Sequence, residues 1–251
     1  DASLKPTSKT KRSTRVPHRR TSFLPDADKA LGASILISLV LWIVSLPMTD
    51  PAGLDDFGIV SILPVTYWAA LVVLSAGFAF TITQPVKSPW WRIGALVTLI
   101  LLLHATPPIV YGTLRYSWAW KHIGIIDYIQ RYGDVDRSIT FLGAYHNWPG
   151  FFWLFAKLSS AFNLGPLGIA DAARFFSVFS NFVFLFLVRS IYTRFTTDDR
   201  LVYAALWIFI CANWVGQDYF SPQAMTYSLY LLVITLCLGP LMSADGSGKW
   251  L

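Results

Sequence analysis

Long uncharged stretches alternate with short polar connections along most of this chain. Apolar runs cover about Ala30 to Met48, Ile59 to Ile82, Ile93 to Tyr111, Ala172 to Tyr192, Leu201 to Val215 and Pro222 to Met242. A transmembrane helix needs roughly 20 such residues, and the fifth run is short of that. Lipid offers backbone N–H and C=O groups no partner, so each run is predicted to be helical. The pattern predicts an all-α, polytopic integral membrane protein with about six transmembrane helices.

One segment, 112–171, departs from this pattern and is predicted to be a long external loop. A structureless loop of that length is unusual, and its sequence predicts two helices. "SWAWKHIGIIDYIQRY" carries Trp118, Ile125, Ile126 and Ile129 on or near one face and polar residues elsewhere, with Gly133 placed to cap its end. "FFWLFAKLSSAF" follows Pro149, which suits a helix start, and is too short to span. Both are predicted to lie in the membrane interface.

Composition narrows the class. Only 14% of the residues are charged against 55% hydrophobic, whereas soluble domains carry about 25% charged residues. The net charge of +6 comes mainly from a tail: eight of the 20 Lys and Arg precede Ala30. That tail, residues 1–29, reads as a disordered cytoplasmic segment that touches anionic lipid headgroups, not nucleic acid. Cys211 and Cys237 both sit in apolar runs, and no Cys/His spacing suits zinc. The connections alternate between basic ("QPVKSPWWR", "RSIYTRFTTDDR") and base-free ("TDPAGLDDFG", "GQDYFSP"). By the positive-inside rule this puts the N-terminus in the cytoplasm and 112–171 outside. Trp90, Trp91 and Trp118 fit interfacial anchors.

Within 112–171, "KHIGIIDYI" and "YHNWPGF", followed by Arg174 at the lip of the next run, resemble motifs of the GT-C superfamily of membrane glycosyltransferases. Protein O-mannosyltransferases and aminoarabinose transferases belong to that superfamily. The resemblance covers roughly Tyr111 to Arg189. It implies transfer of a sugar from a polyprenyl-phosphate donor to an acceptor hydroxyl, on the outer face of a bacterial or archaeal cytoplasmic membrane. It also implies further spans beyond Leu251, so the chain is expected to be an N-terminal portion of a longer protein. The sequence departs from the family in lacking an acid just before His122, where "SWAWK" stands. A non-catalytic subunit or scaffold of a larger membrane complex is the alternative expectation.

The resemblance directs attention to specific side chains. A carboxylate is needed to take the acceptor's proton, and Asp127 is the first candidate; pairing with Arg131 one turn on is its ordinary role. His122 either bonds a phosphate or acceptor or is a plain interfacial histidine. Arg115 and Lys121 are candidate phosphate ligands or snorkelling cations. His146, Asn147 and Trp148 either shape a sugar pocket or form a structural turn. Asp134 and Asp136 are a candidate divalent-metal pair, since hard cations prefer carboxylate oxygen. Gln217 and Asp218, between the fifth and sixth runs, either face the site or cap helices. His104, near the end of the third run, is assigned no role. Membrane lipids and the lipid-linked donor are the expected partners, with other membrane subunits under the alternative.

Overall fold

The computed structural model describes residues 26–84, 86–141, 143–213 and 218–243. Nearly all of the basic tail therefore lies outside the described residues. Among the described residues the chain is built of helices, and its β structure is one isolated bridge between Asp55 and Gly58. Five stretches are long and apolar enough to cross a membrane: Ala27–Met48, Val65–Thr83, Pro89–Tyr111, Phe176–Phe195 and Pro222–Gly239. The protein is an all-α, polytopic integral membrane protein.

Helix α1 (Ala27–Ser45) begins at Asp26, whose carboxylate accepts the Asp28 N–H at 3.1 Å. It packs against α2 (Val65–Thr83). Lipid gives two apolar helices no hydrophobic reason to associate, so close backbone approach and hydrogen bonds do the work. Gly77 supplies the approach: a β-carbon there would collide with the Ser34 hydroxyl. Ser38 Oγ supplies the bond, donating to Ala70 O at 2.9 Å. The second span starts later than the apolar run suggests. Ile59–Ile62 form a separate 3-10 turn, and Pro64 caps α2 in extended backbone. Leu63 is extended as well, as a residue before proline tends to be.

Helix α3 (Pro89–Ile100) passes through a π-helical turn, Leu101–Ala105, into α4 (Thr106–Tyr111). Pro107 and Pro108 bring no N–H, so carbonyls one turn earlier need other donors. Leu102 O accepts from Thr106 Oγ1 (2.6 Å) and from the Tyr67 hydroxyl (2.9 Å), while Trp42 Nε1 donates to Thr106 Oγ1 (2.8 Å). His104 O accepts from Ser177 Oγ at 3.3 Å. These side chains tie the π turn to three neighbouring helices.

The segment after α4 forms a separate layer: α5 (Ser117–Tyr132), α6 (Gly143–Asn147), α7 (Gly150–Ala161) and α8 (Pro166–Ala173). Helix α5 ends at Gly133 with φ 84°, a left-handed conformation that glycine adopts without steric cost. Its buried face is Ala119, His122, Ile123, Ile126 and Ile129. This corrects the expected face, because Trp118 is exposed, with the Lys121 ammonium 3.7 Å over its ring. The α5 isoleucines share one apolar cluster with Phe151, Phe152 and Ala156 of α7, Ile169 and Ala173 of α8, and Phe220.

Helices α9 (Phe176–Phe195), α10 (Asp199–Ala212) and α11 (Pro222–Ser243) complete the membrane part. The fourth span begins at Phe176 and not at Ala172, because the chain breaks between α8 and α9 at Arg174 and Phe175. Helix α10 has 14 residues, about 21 Å at 1.5 Å per residue, against a hydrocarbon core of about 30 Å. It lies in the core, with Val202, Leu206 and Ile210 buried beside Leu96, Leu99 and Phe184. The described part of the fifth apolar run is thus a short packed helix. Helices α3 and α9 run antiparallel, so Lys87, Arg189 and Asp198 share one end of the bundle. The α5–α8 layer and residues 218–220 share the other.

Candidate functional site

Polar side chains within spans are costly and tend to mark function. Three segments bring two of them, His104 and Asn181, together with Asn213 and Asp218 where the bundle meets the α5–α8 layer. The π turn contributes His104, α9 contributes Asn181, and Asn213 and Asp218 flank the connection from α10 to α11. Asn181 Nδ2 donates to Ser177 O and to Asp218 Oδ2, each at 2.9 Å. Asn181 Oδ1 accepts from Asn213 Nδ2 at 2.9 Å. Both amide hydrogens of Asn181 are then used. The 3.1 Å approach of Asn181 Nδ2 to His104 Nδ1 leaves Nδ1 to carry its own proton. That proton points to Asp218 Oδ2, 2.9 Å away. The network assigns the tautomer, and His104 Nε2 has no partner among the described residues. Asn181 and Asp218 are buried.

Asp218 also lies in the wall of a cavity of about 30 Å³, together with Arg115, Tyr116, Arg174, Ser177 and Tyr219. That volume holds a water molecule or two. Two of these lining residues carry a buried polar atom that lacks a partner among the described residues, the Tyr116 hydroxyl and Arg174 Nε, and the donors to Asp218 from Asn181 and His104 both go to one carboxylate oxygen, Oδ2. Burial pushes the Tyr116 hydroxyl above the usual tyrosine range, against the pull of Arg115, so it stays a proton donor at neutral pH. The Arg115 guanidinium lies 5.2 Å over the Tyr116 ring and its side chain is exposed. The arrangement combines anion-binding donors with a carboxylate held through one oxygen, Oδ2.

Two residues expected in the site, Arg115 and Asp218, line this cavity. The others are placed elsewhere. His122 is fully buried, its Nδ1 donating to Phe220 O at 2.8 Å and its ring packed among Tyr145, Phe152 and Tyr219. Burial pushes its pKa below 6.5, against the bond to Phe220. Asp127 forms a 2.7 Å ion pair with Arg131 on its own helix. Lys121 stacks on Trp118. His146 is buried with Nδ1 unpartnered, Asn147 Nδ2 bonds Gly143 O, and Trp148 is 83% exposed. Asp134 accepts from Val135 N and Trp153 Nε1, and Asp136 accepts from Ser138 N and Oγ. Those bonds hold Asp136 below the usual carboxylate range. No group of three or more metal-ligating side chains occurs among the described residues. Gln217 lies outside the described residues.

Sequence reasoning missed Asn181, took Asn213 only as the first residue of the polar stretch Asn213 to Gln223, gave His104 no role and left Arg174 at the lip of a span. The available signal was a histidine and an asparagine inside apolar runs. No protein-family model matches this chain, no curated protein matches it, and no solved structure matches it.

Proposed function

We propose that the protein is a membrane glycosyltransferase that moves a sugar from a polyprenyl-phosphate donor to an acceptor hydroxyl. The supporting observation is that Arg115, Tyr116, Arg174 and Asp218 line one cavity, with the Tyr116 hydroxyl and Arg174 Nε unpartnered among the described residues and the donors to Asp218 gathered on Oδ2. The donor's phosphate sits at the rim, at exposed Arg115 and at Arg174, because the cavity itself is too small for a sugar. Asp218 Oδ1 takes the acceptor's proton as its oxygen bonds the anomeric carbon. The bond from that carbon to the phosphate oxygen breaks, and the charge that develops is met by the two guanidinium groups and the Tyr116 hydroxyl. His104 and Asn181 hold Asp218 Oδ2 and so aim Oδ1. In this reading the site faces outward, with the N-terminus cytoplasmic, following the charges of the connections.

The size of the cavity favours a second reading, a non-catalytic membrane subunit in which the same cluster fastens α9, α10 and the π turn together. Binding separates the two. Polyprenyl phosphate, the leaving group, is expected to raise the thermal unfolding temperature of the purified protein. Arg174→Ala is expected to weaken that binding about 10- to 100-fold, the range for hydrogen bonds to a charged group. If saturating polyprenyl phosphate leaves the unfolding temperature unchanged, the transferase reading fails and the subunit reading stands.

A further inference from the structure

A second pocket, at the opposite end of the bundle, points to a different ligand. It is a groove of about 360 Å³ between the start of α3, the end of α9 and the first turns of α10, a volume within the range of small-molecule sites. Its polar and apolar parts are sorted by depth. Trp90 and Arg189 line it and are exposed. Going inward, Ile93 and Leu96 follow on α3, and Phe186 follows on α9. The two walls descend in parallel because the helices are antiparallel and both enter the membrane from this end. Exposed Trp90 marks the interfacial level, where its ring is favoured.

Two groups in this groove are left wanting a partner. Arg189 is the one charged residue in the lining, it is exposed, and among the described residues it has no ion pair or hydrogen bond. Tyr203 is 1% exposed and its hydroxyl is unpartnered among the described residues. A buried hydroxyl without a partner costs free energy until a ligand atom or water supplies one. We infer that this groove binds one anionic glycerophospholipid. Its phosphate meets Arg189, a glycerol or ester oxygen accepts from the Tyr203 hydroxyl, and an acyl chain lies along Ile93, Leu96 and Phe186. The charge selects the lipid. Among the described residues, the lining offers a cation to the phosphate and no carboxylate to receive a choline or ethanolamine headgroup. The site is independent of the cavity at Asp218.

Native mass spectrometry of the full chain, released from nanodiscs of equal phosphatidylglycerol and phosphatidylcholine, tests this. Wild type is expected to retain one phosphatidylglycerol in preference to phosphatidylcholine by about fivefold, the effect of one basic side chain at an anionic headgroup layer. Arg189→Ala abolishes the preference and Arg189→Lys keeps it. Tyr203→Phe lowers retention of both lipids alike, since the glycerol oxygens are common to them. Lys87→Ala, on the same end but 78% exposed and paired with Asp26, leaves the preference unchanged. Should Arg189→Ala fail to fold, Arg189→Gln decides in its place. Equal retention of the two lipids by wild type overturns the inference. So does a Lys87→Ala protein as impaired as Arg189→Ala, because surface charge alone then explains the preference.

Discussion

Asp127 and Asp218 both pair with a basic side chain, and their surroundings make them different groups. Asp127 meets Arg131 on the same helix, with 64% of the arginine side chain exposed. Water screens that pair, and both side chains give up freedom to hold it. Asp218 meets His104 and Asn181, brought from 114 and 37 positions away by folding, with its side chain 9% exposed. One carboxylate decorates a helix; the other closes a contact among α9, the π turn and the start of α11. A short charged distance is therefore a poor guide to importance. Burial and the number of donors on one oxygen separate the two.

The contrast can be broken most forcefully at Asp218. Asp218→Ala strands the His104 Nδ1–H and one Asn181 hydrogen in a buried place, and is expected to cost about 3–5 kcal/mol. Thermal unfolding in detergent reads this loss. Asn213→Ala leaves Asn181 Oδ1 without its donor and costs less, about 1–3 kcal/mol. An effect of Asn213→Ala equal to that of Asp218→Ala would mean the amide chain, not the carboxylate, organises the cluster.

A smaller effect comes from His122, which is fully buried. Its folded pKa lies below 6.5 because burial disfavours the charged ring. The unfolded chain then binds a proton more readily, so stability is full above pH 6.5 and falls as the pH drops below that value toward the depressed folded pKa. The groups facing its ring are Tyr145 and Tyr219 with Phe151 and Phe152, none of them charged. An unfolding series from pH 7 to 5 should show a drop of roughly a few degrees that His122→Gln removes. The smallest effect belongs to Asp127→Ala, within about 0.5 kcal/mol of wild type. A larger loss would show that the Asp127–Arg131 pair holds the α5 layer in place.

The spans were legible because a long apolar run is a local signal. Their edges were not, since Pro64 and the break at Arg174 interrupt runs whose hydropathy continues. The limits of α5 were readable from its amphipathic period and from Gly133. Its buried face was misplaced because His122 reads as polar, although in the fold it has a carbonyl and four aromatic rings around it. Asp218 and Arg115 could be proposed from their positions in connections that share one side of the membrane. The union of His104, Asn181 and Asn213 could not. Each is a single polar residue in or beside an apolar run, and the contacts that join them reach across 32 to 77 positions.

Turnover distinguishes the two carboxylates most directly. Purified wild type, Asp218→Asn and Asp127→Asn, each shown folded by its unfolding transition, would be given polyprenyl-phosphate sugar and scored for release of polyprenyl phosphate. A general base contributes about 10²- to 10⁴-fold. Asp218→Asn is accordingly expected to lose at least about 100-fold, with Asp127→Asn close to wild type. Full release by folded Asp218→Asn, or loss confined to Asp127→Asn, would contradict the placement of the chemistry at Asp218.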